Sequence, residues 1–304
     1  MKYISPLFPF LMAWGLLLAT PVFFEISLVN GITQLVLFTL LVCWPAWKTG
    51  RLSYVDIAWP WGLVLIAAIT FSMSDGYGLR VLMISLVYAF VGMRMGLGAL
   101  KMWQSGYFEN EFPRYQYQRL RWEKAGKTNA GLALQVEALL QGLANAGFLA
   151  FPAFVIGANT DPEISVFELL GLSLWLLAFS IETIADVQKL RFLKKMKRTG
   201  KKNSVCNIGL WRYSRHPNYF AEWLVWTAMV IASIPSWLAL YTQLHLIAWL
   251  LLGTGLLFVS RIMYTTLVYY TGAVPAEYYS VKKRPAYKNY QAQTNRFFPG
   301  PTRK

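Results

Sequence analysis

Long apolar runs separated by loops that are alternately basic and free of basic residues leave this 304-residue chain few folds to adopt. A helix needs about 20 mostly apolar residues to cross a bilayer. Eight runs approach or meet that length: 8–24, 31–47, 55–73, 80–99, 132–157, 164–187, 219–235 and 238–260. Lys2 precedes the first run, and Lys48 and Arg51 lie after the second. Six Lys and Arg lie in 100–131, ten in 188–218 and eight from Arg261 onward. The loops between these hold none, with Arg80 at the edge of one run. Backbone polar groups in hydrocarbon must be satisfied internally, so such runs form helices. The basic loops belong on the cytoplasmic side, which places both termini there. The expectation is therefore an all-α, polytopic membrane bundle of about eight spans. Seven remain if one run lies at the interface: the first, broken by Pro21, or one of the last pair, joined near Pro235. The first run is read as a retained span, because a second long run follows it closely.

Composition agrees. Apolar residues make up 56% of the chain and charged residues only 14%, which excludes an ordinary soluble domain. The net charge of +15 is accounted for by membrane orientation and does not imply nucleic acid. Cys43 and Cys206 have no metal-ligand spacing. The chain reads as one membrane domain, 1–304, with N-terminal spans in 1–50 and a core in 51–304. The core carries cytoplasmic loops 100–131 and 188–218 and a cap over 261–304. That cap is too aromatic for disorder and reads as ordered, with short helices. The expected partners are a lipophilic small molecule from the bilayer and membrane lipids, with no nucleic acid and no protein partner.

Ionisable residues inside spans are costly and mark function by default. Asp56, Arg94, Glu137, Glu182, Asp186 and Glu222 all lie near the cytoplasmic ends of their runs, within roughly 10 Å of that face at 1.5 Å per residue. Glu168 and His245 lie toward the other end. A polar interior on one side suits an enzyme that takes a soluble cofactor from the cytosol and an apolar substrate from the bilayer. Bland roles compete: a helix cap for Asp56, snorkelling for Arg94, an Arg94 pair for Glu137, and pairing with downstream lysines for Glu182 and Asp186.

The densest cluster is "RYSRHPNYFAE", residues 212–222. Pro217 suits the first position of a helix, which puts His216 at its cap. A helix start with free N–H groups favours phosphate. Arg212 and Arg215 add two guanidinium forks. Asn218 and Glu222, four residues apart, share the face one turn deeper, and Trp211 and Tyr219 offer flat ring surfaces. This reads as a nucleotide seat, with anchoring to lipid phosphates as the competing reading.

"GLWRYSRHPNYFAE" resembles the signature of steroid 5-alpha-reductase-type membrane enzymes, including their bacterial branch. "SYVDIAW" (53–59), "ETIADVQKLRF" (182–192) and "KRPAYKNYQAQTNRFFPGP" (283–301) resemble the same branch in the same order. The resemblance covers most of the chain from about residue 50. It implies a helical membrane oxidoreductase of the bacterial inner membrane, with NADPH in a cavity facing the cytoplasm. Carried over by motif, the cofactor-side positions are Asp186, Arg191, Arg212, Arg215, His216, Asn218, Tyr219 and Glu222. Arg94 would line the cavity, and Arg284, Tyr287 and Tyr290 would close over it. The chain departs from its relatives at Ser204 and Val205, where they carry an arginine and an aromatic residue, and at Ala221, where they carry glycine.

Reduction of an enone needs a hydride donor, an acidic group on the carbonyl and a proton for the alpha carbon. The resemblance implies a carboxyl and a tyrosine for the carbonyl. Asp56 is the candidate carboxyl, with Tyr54 and Tyr88 as candidate tyrosines. Two other readings stay open: an S-adenosylmethionine-dependent methyltransferase of an isoprenoid or lipid, and a non-enzymatic membrane protein of the same fold.

Overall fold

The computed structural model describes residues 2–201 and 203–303, and its regular elements among these are all helical. The longer α-helices in chain order are α1 (Phe8–Ala19), α2 (Phe24–Phe38), α3 (Trp44–Thr49), α4 (Val55–Met73), α5 (Gly78–Gln104), α6 (Pro113–Lys124) and α7 (Ala130–Ala146). They continue with α8 (Phe151–Gly157), α9 (Val166–Arg198), α10 (Pro217–Ala239), α11 (Leu246–Thr265), α12 (Ala273–Lys283) and α13 (Tyr287–Gln293).

Among the described residues, seven helical segments are long and apolar enough to cross a membrane: Pro21–Thr49, Val55–Met73, Gly78–Gln104, Ala130–Gly157, Val166–Arg198, Pro217–Thr242 and Leu246–Lys283. The first run does not qualify, because its helix covers only Ser5–Ala19. Thr20 turns extended, with ψ 112°, and Pro21 opens a new turn because it has no N–H to continue the old helix. Pro235, by contrast, sits inside α10, which runs on to Ala239. The fifth run bends at Gly147, where α7 stops and a 3₁₀ turn leads into α8. A side chain at Gly147 would lie 3.0 Å from the backbone N of Trp14, so the bend is also where α1 packs closely.

The chain forms two compact units, Met1–Leu169 with Ala232–Val259, and Leu170–Ile231 with Ser260–Lys304. In the first, α4 packs extensively on α5, and α2 on α4 and α7. Three fully buried amides tie α2, α4 and α7 together. Asn30 donates to the carbonyls of Asn145 (3.2 Å) and Ala146, Gln34 to Gly62 O (2.9 Å), and Asn145 to Gln34 Oε1 (3.2 Å) and Trp59 O (3.1 Å). Such bonds inside a bilayer contribute roughly 0.6 kcal/mol each and fix register as well. Arg80, buried beside Glu168, donates to the carbonyls of Asn159, Asp161 and Glu163 and thereby ties down the turn before α9.

In the second unit, residues 209–216 and 290–303 are laced together through the backbone. Arg215 N donates to Asn295 O (2.8 Å), Gly300 N to Tyr213 O (3.0 Å), and Ser214 Oγ to Phe297 O (2.8 Å). An aromatic group of Phe220, Trp223, Tyr264, Phe297 and Phe298 fills this unit beside the lacing, with neighbouring ring centroids 5.2–6.4 Å apart. Phe297 is buried in this group and Phe298 is 51% exposed; edge-to-face ring pairs of this kind contribute about 0.5–1.5 kcal/mol each.

Candidate functional site

The centre of the second unit is built around the start of α10. Pro217 is its first residue, and the His216 carbonyl accepts the first helical bond from Phe220 N (3.1 Å), as the sequence reading expects. Gly209 makes the approach possible. Its φ is +53°, and a side chain there would lie 2.5 Å from Gln188, whose Oε1 accepts from Leu210 N (2.9 Å). Trp211 packs inward, donating from its ring to Ala185 O (2.9 Å), with the Lys189 ammonium 4.1 Å above its face. That face is therefore covered and is not the free ring platform expected.

Arg215 is the main correction. It is buried, and its fork is turned into the protein. Nε donates to Glu277 Oε1 at 2.7 Å and Nη2 to Oε2 at 3.2 Å, while Nη1 donates to the carbonyls of Gln291 (3.0 Å) and Thr294. Four of the five N–H donors of the guanidinium are so engaged, which leaves one for the phosphate contact the motif suggested. Glu277 is the hub. It also accepts from His216 Nε2 (3.2 Å) and Gln291 Nε2 (2.9 Å), and Arg296 Nε lies 3.4 Å away. A carboxylate only accepts, so the His216 proton on this bond sits on Nε2. The imidazole stacks on Tyr219 with centroids 5.3 Å apart and planes 4° from parallel. Burial holds the His216 pKa below its ordinary value, against the opposing pull of Glu277.

One turn deeper, Asn218 donates to Asp186 Oδ1 on α9 at 3.1 Å. That carboxylate orients the amide, and the amide oxygen, buried, meets no donor among the described residues. Between α12 and α13, the Arg284 Nε is likewise buried without an acceptor there. Glu222 and Tyr219 are half-buried on α10. Arg212 and Arg191, both expected on the cofactor side, are exposed. Tyr287 and Tyr290 are buried, and burial raises both phenols. Tyr290 donates to Trp211 O, so it works as a strap on the 209–216 turn. Tyr287 feels the charges of Glu277, Arg215, Arg284 and the Tyr219 phenol, which places all of them in one electrostatic neighbourhood.

The first unit holds the remaining candidates. Asp56, in the first turn of α4, accepts from the Tyr115 hydroxyl (2.5 Å) and pairs with Arg114. Its tyrosine is therefore Tyr115, not Tyr54 or Tyr88. Tyr54 accepts from Arg51 Nη2 (3.0 Å). Tyr88 is wholly buried in α5 and donates to Leu149 O, so its proton is not available to a carbonyl. Burial pushes the Tyr115 phenol up to about 12. Glu111 holds the turn before α4, accepting from Leu52 N (2.8 Å) and Ser53 N (3.0 Å). Arg94 is half-buried in α5.

Sequence reasoning missed Glu277 and Tyr115. Glu277 had a usable signal: it is the single acidic residue among eight basic ones from Arg261 to the end. Tyr115, in a basic loop, had none. No group of His, Cys, Asp or Glu among the described residues is arranged to hold a metal ion.

A family model described as "protein of unknown function (DUF1295)" matches residues 43–294. No curated protein and no solved structure gives a significant match.

Proposed function

The chain belongs to the DUF1295 family, and on the geometry of its second unit we propose that it is a membrane-embedded, NADPH-dependent reductase of a carbon–carbon double bond in a steroid-like or other lipid enone. The observation that carries this reading is two unmet buried groups in the second unit, the acceptor Asn218 Oδ1 and the donor Arg284 Nε. A buried polar atom without a partner costs free energy, so such a pair is suited to a ligand that both donates and accepts. A dinucleotide does both, through amide or amino N–H groups and anionic oxygens. Asn218 would accept from the first, and Arg284 with the exposed Arg212 would take the second. NADPH supplies a hydride when bound. His216, Tyr219 and Glu277 hold the start of α10 rigid beside it. The expected orientation, with the basic loops and both termini in the cytoplasm of a bacterial inner membrane, gives the cofactor access from the cytosol.

One observation favours a second reading. Arg215 is engaged by Glu277, which removes one of the cations suited to phosphate. S-adenosylmethionine carries amino and carboxylate groups and no phosphate, so lipid methyl transfer remains the competitor. Thermal stability of the detergent-purified protein, measured with NADPH, NADH and S-adenosylmethionine in turn, separates the two, because a bound ligand raises stability by mass action. A rise with NADPH is expected. A rise with S-adenosylmethionine alone overturns the reductase, and no rise with any of the three favours a non-enzymatic role.

A further inference from the structure

We infer that the first unit carries a second, separate ligand site: a cavity for an amphipathic organic cation. The cavity has a volume of about 750 Å³ and lies between the α1–α2 junction, the end of α4 and the turn after α8. Its base is apolar, formed by the buried Phe23, Ile26 and Phe154. Val22 and Phe24, 41% and 48% exposed, form an apolar wall at the mouth. The rim is polar, with Glu25, Ser74, Asp75, Thr160 and Gln243. Among the described residues, no lysine, arginine or histidine lines it.

Glu25 sits in the first turn of α2, where the helix dipole favours a carboxylate, but no basic side chain among the described lining residues meets either charge of this cavity. Asp56, Glu111, Glu168 and Glu277 each make an ion pair. Glu25 and Asp75 line the cavity, are exposed, and make no ion pair or hydrogen bond among the described residues. The loop after α4 is bonded to the turn after α8, Gly76 N to Gly157 O (3.0 Å) and Tyr77 N to Asn159 O (2.8 Å), so these segments form one end of the unit. His245 follows the lining residue Gln243 by two positions, and the arginine at that end is Arg80. Its guanidinium is consumed by Glu168 and by the carbonyls of Asn159, Asp161 and Glu163. A chain of net charge +15 thus presents two carboxylates and no basic side chain among the described residues lining this cavity.

Size and lining set the ligand class. The volume far exceeds that of a bare metal ion, and the apolar base needs an apolar body to displace its water. The carboxylates need a positive head, and the Phe24 ring adds attraction for a quaternary or alkylated cation. This inference does not rest on the reductase reading.

The test uses two probes of the same shape and opposite charge, tetraphenylphosphonium and tetraphenylborate. Each is equilibrated with the full chain in lipid nanodiscs and with empty nanodiscs. Saturable binding of the cation above the empty-disc level is expected, with none for the anion. The E25Q/D75N variant should bind the cation about tenfold more weakly, with unchanged thermal stability because both side chains are exposed. Equal binding of the anion would make the cavity an apolar slot and overturn the proposal. So would the absence of saturable cation binding, or an unchanged affinity in the variant.

Discussion

Glu277 holds Arg215 in a two-point grip, with Oε1 2.7 Å from Nε and Oε2 3.2 Å from Nη2, and so joins α12 to the turn that starts α10. Both side chains are almost fully buried. The pair is thus a structural clasp beneath the candidate cofactor centre.

Removing one partner strands the other charge in a buried place. Arg215→Ala or Glu277→Leu alone should destabilise the protein by about 3–5 kcal/mol. Arg215→Met with Glu277→Leu together should cost less than the sum of the single changes. Denaturation of the three variants in one detergent measures this, and strict additivity would show that the clasp contributes no coupling.

His216 ties stability to pH. Its folded pKa lies below the ordinary value of about 6.5, chiefly because burial disfavours the charged ring. The facing charges are Glu277, Arg215 and Lys189. Arg215 largely neutralises Glu277, so the carboxylate does not restore the imidazolium. The unfolded chain therefore binds more protons just below pH 6.5. Stability from this group is full above that pH and falls as pH drops through it. The melting temperature should decline between pH 7 and pH 5.5 in the wild type and be flatter there in His216→Asn. Parallel profiles would assign the titration elsewhere.

Asn218 should discriminate ligand binding from folding. Asn218→Leu removes one bond to Asp186 and the unmet oxygen together. The NADPH-induced stabilisation should shrink by about 1 kcal/mol, roughly fivefold in affinity, if that oxygen accepts from the ligand. Unchanged stabilisation in the folded variant would remove Asn218 from the site.

Tyr115→Phe tests the other unit. The lost bond to a charged acceptor should cost about 1.5 kcal/mol, moderated because Asp56 keeps Arg114. With the phenol up to about 12 in the fold and near 10 when unfolded, wild-type stability from this group is constant below pH 10. It then declines as pH rises toward 12, and that decline should be reduced in the variant.

What the chain's order of residues determined by itself is the class of fold. Apolar length demands helices in hydrocarbon, and the pattern of basic loops marks which ends share a side. Pro217 marks the start of α10 because the missing N–H is an advantage only at a helix's first turn. Local signals of this kind decided where the spans lie, but of the expected runs only 55–73 keeps both its ends, while α5 runs on to Gln104 and α9 to Arg198. They did not decide the first run, since the turn at Thr20 and Pro21 and the close packing of α1 at Gly147 depend on neighbours far along the chain. Nor did they decide partners. Arg215 carries the same guanidinium whether it faces a phosphate or a carboxylate 62 residues later, and Asp56 the same carboxylate whether Tyr54 or Tyr115 donates to it. Pairing energies depend on distance and burial, and both are properties of tertiary structure alone.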